Sequence, residues 1–175
     1  MYQLEPLPLE TIDDAELRDL ITQSETLGVP GSQFARIIAR FPDHAKPFLR
    51  SIIMSHDAGN VDHKLKEVIR ILLARFAEDP YFSKLRSKKA RGAGLSEETI
   101  DAGSGDYEDS PLFSEVEKCA LRYADQMFLD ASKVDAAVYA ELKTHFSEAQ
   151  IMELGSFIAL HYGMQIFMRT LVKSS

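Results

Sequence analysis

Cysteine is nearly absent from this sequence, because its 175 residues include only one, Cys119. A single cysteine cannot form an intramolecular disulfide or the C-x-x-C pair of a dithiol redox site. Cys119 lies in the stretch EVEKCALRYADQM, where its apolar neighbours predict a buried, unreactive thiol. The sequence therefore excludes a disulfide framework within the chain and argues against dithiol chemistry.

Long apolar runs and a surplus of basic residues are also missing. The net charge of −7 argues against a nucleic-acid partner, because phosphate binding needs a concentrated basic face. No apolar stretch reaches the length of a membrane span. The start, MYQLEPLPLE, has acidic residues and prolines where a signal peptide needs a basic region and an apolar run. We therefore expect a cytoplasmic protein that binds neither nucleic acid nor membrane.

Motifs for metals, nucleotides and serine nucleophiles are missing as well. The five histidines form no H-x-x-H or H-E-x-x-H pair. The sequence also contains no phosphate-binding glycine loop, dinucleotide fingerprint or serine elbow. We therefore expect no metal site and no cofactor.

Helical periodicity runs through most of the chain. No stretch alternates polar and apolar residues with a period of two, so the predicted fold is all-α. Two capping-box patterns, SEVE and SEAQ, mark predicted helix starts. Residues 1–12 are predicted to form an N-terminal arm and residues 13–175 a single helical domain. The polar, glycine-containing segment 101–111 is the one predicted loop that is long enough to be mobile.

The segment from Asp62 to Ser96 is the least ordinary part of the pattern. Its first helix is apolar on two opposite sides, which predicts burial nearly all round. Glu67 lies in the middle of this helix, where a carboxylate must find a partner or stay protonated. It is either a general acid or base or a structural partner of an arginine such as Arg70 or Arg75.

The residues after this helix predict a corner and a second helix. Asp79 is a good N-cap, Pro80 fits the first helical position, and Gly94 fits the C-terminal cap. This pattern predicts a helix over 79–94.

The order of these features resembles the carboxymuconolactone decarboxylase and alkyl-hydroperoxidase D-like (AhpD-like) family. It comprises a glutamate in a buried helix, a corner, an aromatic residue at the next helix start and then ARGAGLSEE. The resemblance covers about Phe34 to Leu171. It implies an all-α bundle that assembles as a trimer or hexamer, with Glu67 at the proton-relay position. An excess of apolar residues on the Glu67 helix and on the last helix also favours self-association.

The same resemblance shows where this chain differs. With Glu67 and GLS aligned, the two redox cysteines and the following histidine of the peroxidase branch fall at Asp79, Phe82 and Arg86. Tyr81 occupies the slot between the cysteines, where tyrosine or histidine is usual. The decarboxylase branch is expected to keep the histidine, so Arg86 differs from that branch too. The resemblance therefore implies the fold but neither of the two best-known reactions.

The last helix contains a second candidate for proton transfer, His161. It lies in an apolar setting, and Glu153 and Phe157 fall on the same side of the helix. Histidine titrates near neutral pH, which makes Glu67 and His161 the best candidate acid/base pair, with Tyr81 assisting. The alternative is a hydrogen-bonded core histidine.

Three further residues are candidates for substrate binding. Arg86 is a candidate because a guanidinium binds a carboxylate through two parallel hydrogen bonds. Asp79 and Phe82, at the positions of the family's cysteines, would complete the site. The alternatives are a surface or subunit-contact arginine and a simple helix cap.

Together these features predict a cofactor-free acid/base enzyme of the decarboxylase, lyase or isomerase type. Its expected substrate is a small organic acid, lactone or carbonyl compound, and an anionic one if Arg86 binds it. A non-catalytic oligomer that binds a small molecule or a partner is the alternative. A third reading is residual, peroxiredoxin-like hydroperoxidase activity through Cys119, which requires that thiol to be exposed and acidic.

Overall fold

The computed structural model describes residues 2–172, so residue 1 of the predicted arm and residues 173–175 of the predicted domain lie outside the described part. The all-α prediction is confirmed, because the described residues form helices joined by short connections. The α-helices in this range are α1 (Ala15–Leu27), α2 (Ser32–Ile38), α3 (Pro42–Asp57), α4 (His63–Phe76), α5 (Lys88–Gly92), α6 (Glu97–Gly103), α7 (Glu115–Asp130), α8 (Ala136–His145) and α9 (Glu148–Leu171).

Helix starts follow the capping signals of the sequence. The Asp62 carboxylate accepts hydrogen bonds from the amides of Lys64 and Leu65 and so begins α4. Ser114 and Ser147 form complete capping boxes at the starts of α7 and α9. Each box satisfies amides that have no partner within the helix.

Helix α4 is the centre of the molecule. All ten residues from Leu65 to Ala74 are buried, which confirms the prediction of a helix buried nearly all round. It packs against α3, α6, α7 and α9. Every polar side chain on its inner turns must therefore find its partner inside the protein.

The predicted helix over 79–94 is wrong. The chain instead makes a 3₁₀ turn over Phe82–Lys84, is extended at Leu85, and starts α5 at Lys88. Ser87 is the N-cap of α5, because its hydroxyl accepts a hydrogen bond from Ala90 N. A second capping residue inside the stretch therefore starts a new helix, although the left-handed Gly94 does follow the end of α5, at φ +89°.

The predicted loop over 101–111 starts too early, because α6 runs to Gly103, and the rest of the segment is attached to α7. The Tyr107 side chain is buried, and its hydroxyl donates a hydrogen bond to Asp125. Lys118 Nζ donates to the Glu108 carbonyl over 2.7 Å. Arg122 also pairs with the Glu108 carboxylate at 2.9 Å. The mobility of this segment stays a prediction.

No helix in the described range is both long and apolar enough to cross a membrane. Several large apolar side chains are nevertheless exposed, among them Met54, Leu129, Met152 and Phe167. Such side chains are compatible with self-association, which stays a prediction.

Candidate functional site

Glu67 and Arg70 form a buried ion pair one turn apart on α4. The Arg70 Nε and Nη2 atoms each donate to one Glu67 carboxylate oxygen at 2.8 Å. The amide of Ser87 donates to Glu67 Oε1 at 2.7 Å. Arg70 also donates to the carbonyls of Phe82 and Leu85 at 2.8 and 2.7 Å. The pair therefore attaches the segment between α4 and α5, which we call the corner, to α4. The role of Glu67 as a proton carrier stays a prediction.

The predicted substrate-binding residues Asp79 and Phe82 both belong to the corner and stabilise its fold. Asp79 Oδ1 accepts hydrogen bonds from the amides of Tyr81 and Phe82 at 2.8 and 3.3 Å. Asp79 Oδ2 is buried without a hydrogen-bond partner among residues 2–172, and burial raises the pKa of this carboxyl group. Phe82 is fully buried and packs edge-on against Phe34 at a centroid distance of 5.3 Å. Asp79 therefore caps the turn, and Phe82 is part of the core.

The polar groups of Tyr81 and Arg86 also form hydrogen bonds or ion pairs within the chain. The Tyr81 hydroxyl donates to the Pro30 carbonyl at 3.0 Å and accepts from Phe34 N at 3.3 Å. Burial raises the pKa of Tyr81 to about 12. Arg86 pairs with the Glu97 carboxylate at 2.9 Å and donates to the Ser83 carbonyl at 2.7 Å. Tyr81 lines a surface cavity of about 450 Å³ together with Pro80, Lys84 and Leu85, so a ligand could reach it there.

A larger cavity, of about 580 Å³, lies between α3 and α9; we call it the α3–α9 cavity. Exposed Met54 and Met152 contribute to its lining. The lining is formed by Ser51, Met54, Ser55, Ala58, Gly59, Asn60, Ala149, Met152, Glu153, Ser156, Phe157 and Leu160. Most of these residues are apolar or small, and the polar ones are hydroxyls, one amide and one carboxylate, which is the usual composition of a small-molecule site.

The Ser55 hydroxyl connects this cavity to His161. Ser55 Oγ lies 3.0 Å from His161 Nε2, and the imidazole is fully buried behind it. The same hydroxyl lies 2.7 Å from the Ile52 carbonyl. A serine has one proton, so it donates either to Ile52 or to His161. His161 Nδ1 has no hydrogen-bond partner in the described chain, which leaves both tautomers of the ring open to it.

Two more histidines extend this arrangement into the protein. The His56 ring packs edge-on against His161 at a centroid distance of 4.8 Å, and it lies 5.4 Å from the His63 ring. His63 Nδ1 lies 2.8 Å from the His56 carbonyl and therefore carries the proton, while Nε2 lies 2.8 Å from Ser87 Oγ. Among the described residues, no hydrogen-bonded path joins Glu67 to His161. Glu67 accepts from the backbone amide of Ser87, and both nitrogens of His56, which lies between His63 and His161, have no hydrogen-bond partner within residues 2–172.

The environment holds His56 and His161 neutral. Burial, followed by the charges of Arg70 and Lys66, keeps the pKa of His161 well below its usual range. Burial also keeps the pKa of His56 well below that range, with His161 and Arg70 as the next causes. Both rings are therefore neutral near pH 7.

Lys66 and Glu153 form the other buried ion pair of this region. Lys66 Nζ also donates to the carbonyls of Ser55 and Ala58 at 3.0 and 2.7 Å. Asn60 N donates to Glu153 Oε2 at 2.8 Å. The pair therefore fixes the turn between α3 and α4, which forms one end of the cavity.

The sequence pattern identified His161 but not the residues around it. His56 follows Ile52 and Ile53 at spacings of four and three, so helical periodicity alone places it on the buried side of α3. Ser55 and Glu153 carry no such signal, because their importance depends on contacts between helices. Among the described residues, no group of three or more His, Cys, Asp or Glu side chains is arranged to hold a metal ion.

Sequence comparison gives a partial match. No family model matches the chain. The uncharacterized protein YnjA of Escherichia coli K12 is 34% identical over 73 residues, which are 42% of this chain. The matched part spans only 39% of YnjA.

Structural comparison covers nearly the whole chain. The debrominase Bmp8 superimposes with a TM-score of 0.76 at 19% identity, over 98% of this chain and 92% of Bmp8. A cysteine-to-alanine variant of Bmp8 with bound 2,3,4-tribromopyrrole gives a TM-score of 0.77 at 18% identity, over the same shares of the two chains. A peroxidase-related protein with an AhpD core from Ralstonia eutropha gives 0.70 at 16% identity, again over 98% and 92%. The fold that the sequence resemblance implied is therefore confirmed, and this chain has the all-α AhpD-like fold.

Proposed function

We propose that this protein is a cofactor-free acid/base enzyme that moves a proton on a small lactone or other carbonyl compound bound in the α3–α9 cavity. The observation that carries the proposal is the 3.0 Å contact between Ser55 Oγ, at the cavity wall, and His161 Nε2 behind it. In this proposal His161 is the base, and Ser55 is the group through which it reaches the ligand.

The proton path needs only these two side chains. When the Ser55 hydroxyl donates to His161 Nε2, a proton of the ligand can move to Ser55 Oγ while the serine's own proton moves to Nε2. The serine is unchanged, His161 becomes an imidazolium, and the ligand becomes an enolate. Removal of a proton beside a carbonyl also needs donors for the enolate oxygen. Ser156 and the side-chain amide of Asn60 line the same cavity and can supply them.

The low pKa of His161 favours some reactions over others. Burial and the charges of Arg70 and Lys66 disfavour the imidazolium, so His161 is a weaker base than an ordinary histidine and does not keep the proton. Such a base suits reactions in which a proton moves between two atoms of one bound molecule. We therefore favour an isomerase or lyase type of reaction over decarboxylation.

The structural neighbours support a small ring compound as ligand. Bmp8, which has the same fold, was solved with 2,3,4-tribromopyrrole bound. In this chain the single thiol, Cys119, is buried, and burial raises its pKa. Because a reactive cysteine is exposed and has a lowered pKa, these features argue against hydroperoxidase or other thiol chemistry through Cys119.

Hydrogen–deuterium exchange at carbon tests the proposal. The protein is incubated in D₂O with a panel of lactones and cyclic ketones, and loss of the hydrogens beside the carbonyl is followed by ¹H NMR. We expect catalysed exchange with some members of the panel. Ser55→Ala and His161→Gln should each slow it by about 100-fold or more.

Ser51→Ala is the matched control, because Ser51 lines the same cavity one turn earlier and its hydroxyl donates to a helix carbonyl, that of Pro47, but is hydrogen-bonded to no histidine of the described chain. It should keep the wild-type exchange rate. Equal loss in Ser51→Ala and Ser55→Ala, or exchange that survives in Ser55→Ala, would contradict the proposed proton path.

A non-catalytic binding protein is the second candidate. It is favoured by the internal pairing of Glu67 and Arg86, two of the predicted site residues. Compounds that raise the melting temperature without any exchange at carbon would favour this candidate.

A further inference from the structure

The α3–α9 cavity exposes a negative side chain to a ligand but no positive one. Within the described chain, Glu153 is the only residue lining this cavity that has a charged side chain. Its side chain is 17% exposed, whereas the side chain of its partner, Lys66, is 1% exposed. A ligand in the cavity therefore meets a carboxylate and not the ammonium group behind it.

The Lys66 ammonium group has no donor left for an anionic ligand. Its three N–H groups are matched by Glu153 and by the carbonyls of Ser55 and Ala58. The remaining lining groups are neutral, so a carboxylate in the cavity would lie beside Glu153 with no charged donor free to bind it. Lys66 reduces the repulsion between the two carboxylates but offers the ligand no contact, so the repulsion is not offset by a new hydrogen bond.

The Glu153 carboxylate can still accept a hydrogen bond from a ligand. Oε2 accepts from Asn60 N at 2.8 Å, Val61 N is shared between the two oxygens at 3.2 and 3.3 Å, and Lys66 Nζ pairs with Oε1. A carboxylate offers about four acceptor positions, so these three donors leave about one position for a ligand. Gly59 allows the turn between α3 and α4 to approach Glu153 closely, because a Cβ at this position would lie 2.2 Å from the Glu153 carboxylate.

The other walls fit an apolar body. Phe157 presents a ring, and Met54, Met152 and Leu160 present flexible aliphatic or thioether groups. Apolar side chains of this kind bind a flat molecule through its area and not through a fixed pattern of hydrogen bonds.

From these features we infer that the α3–α9 cavity selects neutral, compact, apolar molecules that carry an N–H or O–H donor, and that Glu153 makes this selection. The inference rests on the cavity named in the proposed function and specifies its ligand class. It also reverses the expectation of an anionic substrate, which depended on Arg86.

Equilibrium binding of three matched compounds tests the selection without requiring turnover. Oxindole is neutral and has a ring N–H. In 2-coumaranone an oxygen replaces that N–H, and oxindole-3-acetate adds a carboxylate. We expect oxindole to bind at least about tenfold more tightly than either of the others. 2-Coumaranone loses the charge-assisted hydrogen bond to Glu153, and the carboxylate of oxindole-3-acetate is repelled by Glu153.

Glu153→Gln should remove the penalty on the anion and bring the Kd of oxindole-3-acetate to within about threefold of that of oxindole. Glu148→Gln is the matched control, because Glu148 lies on the same helix, is not among the residues lining the cavity and pairs with Lys143. If Glu153→Gln does not fold because Lys66 loses its partner, Lys66→Gln/Glu153→Gln removes both charges together and serves the same purpose.

Preference for oxindole that disappears in the Glu153 variants would support the inference. Tighter binding of oxindole-3-acetate by the wild type, or no binding of oxindole up to its solubility limit, would overturn it. Selective binding of oxindole without exchange of its C3 hydrogens would support the inference and contradict the proposed reaction. Catalysed exchange on the anionic compound alone would overturn the inference and leave the proposed reaction standing.

Discussion

The corner that resembles the known family and the α3–α9 cavity differ in whether their paired polar groups also border open space. In the corner, Glu67 and Arg86 are both paired with oppositely charged side chains of the same chain. At the cavity, Ser55 and Glu153 have partners within the chain as well, but they also line the open space, and the buried His161 behind Ser55 has a nitrogen without a partner among the described residues. A pair enclosed by the protein organises the structure, whereas polar groups that line a cavity can also meet a ligand. We therefore expect the positions that match the family, such as Glu67 and Arg86, to contribute mainly to the stability of this chain.

Breaking the Glu67–Arg70 pair should have the largest effect on stability. Glu67→Gln leaves the buried Arg70 guanidinium without its counter-charge, and we expect a loss of about 3–5 kcal/mol in the free energy of unfolding. Denaturant titration measures it. Asp101→Asn removes the exposed partner of Arg75 on the same helix and should cost less than about 1 kcal/mol. Similar losses in the two variants would contradict the contrast between a buried and an exposed pair.

Acid should destabilise the histidine cluster. Since the folded-state pKa values of His56 and His161 are lowered, the unfolded chain binds more protons once the pH falls below the ordinary histidine pKa. The stability is therefore fully present above about pH 6.5 and decreases below it, by at most about 1.4 kcal/mol per pH unit for each histidine.

The free energy of unfolding measured from pH 8 to pH 5 checks this pH dependence. His56→Leu should remove about half of the slope, because one of the two buried rings is gone. A wild-type stability that stays flat or rises between pH 6.5 and pH 5 would show that these rings are not held neutral.

Two glycines with left-handed backbone conformations, one in each region, allow the stability contributions of the two regions to be compared. Gly59, beside the cavity, has φ +92°, and Gly94, after the corner, has φ +89°. A Cβ at Gly59 would meet the Glu153 carboxylate, whereas a Cβ at Gly94 would have nothing within 4 Å. Gly94→Ala should cost about 1–2 kcal/mol from backbone strain alone, and Gly59→Ala should cost more. Equal melting temperatures for the two variants would mean that the Glu153 contact adds nothing.

The smallest effect is expected at the edge of the corner. Glu97→Gln removes the partner of Arg86, but Glu97 is 49% exposed. The free energy of unfolding should therefore change by less than about 1 kcal/mol. Denaturant titration beside Glu98→Gln, a neighbouring exposed carboxylate, measures the difference. A loss as large as that of Glu67→Gln would place Arg86 among the buried structural charges.

Local signals predicted most of the fold. Caps such as Ser114 and Ser147 and the periodicity of the Glu67 helix depend on residues close in sequence, and their predictions are confirmed. The break at Leu85 was missed because Ser87 reads equally well as a helix-interior residue. Its role as a cap depends on the extended backbone before it.

The candidate site was predicted less well, because its contacts join distant parts of the chain. The apolar setting of His161 indicated burial, but its partner Ser55 lies 106 residues away. Similarly, nothing local to Lys66 indicates that Glu153 will reach it from α9. The pairing of Glu67 with Arg70, three residues on, is local and was one of two readings open from the sequence.

Exchange of the C3 hydrogens of oxindole in D₂O, compared side by side in the wild type, Ser55→Ala and Tyr81→Phe, tests most directly whether the cavity or the corner is the active region. Tyr81 is a candidate catalytic residue of the corner that lines a surface cavity. We expect Ser55→Ala to slow exchange by about 100-fold and Tyr81→Phe to leave it unchanged. Exchange that survives in Ser55→Ala and is lost in Tyr81→Phe would place the chemistry at the corner and contradict the account.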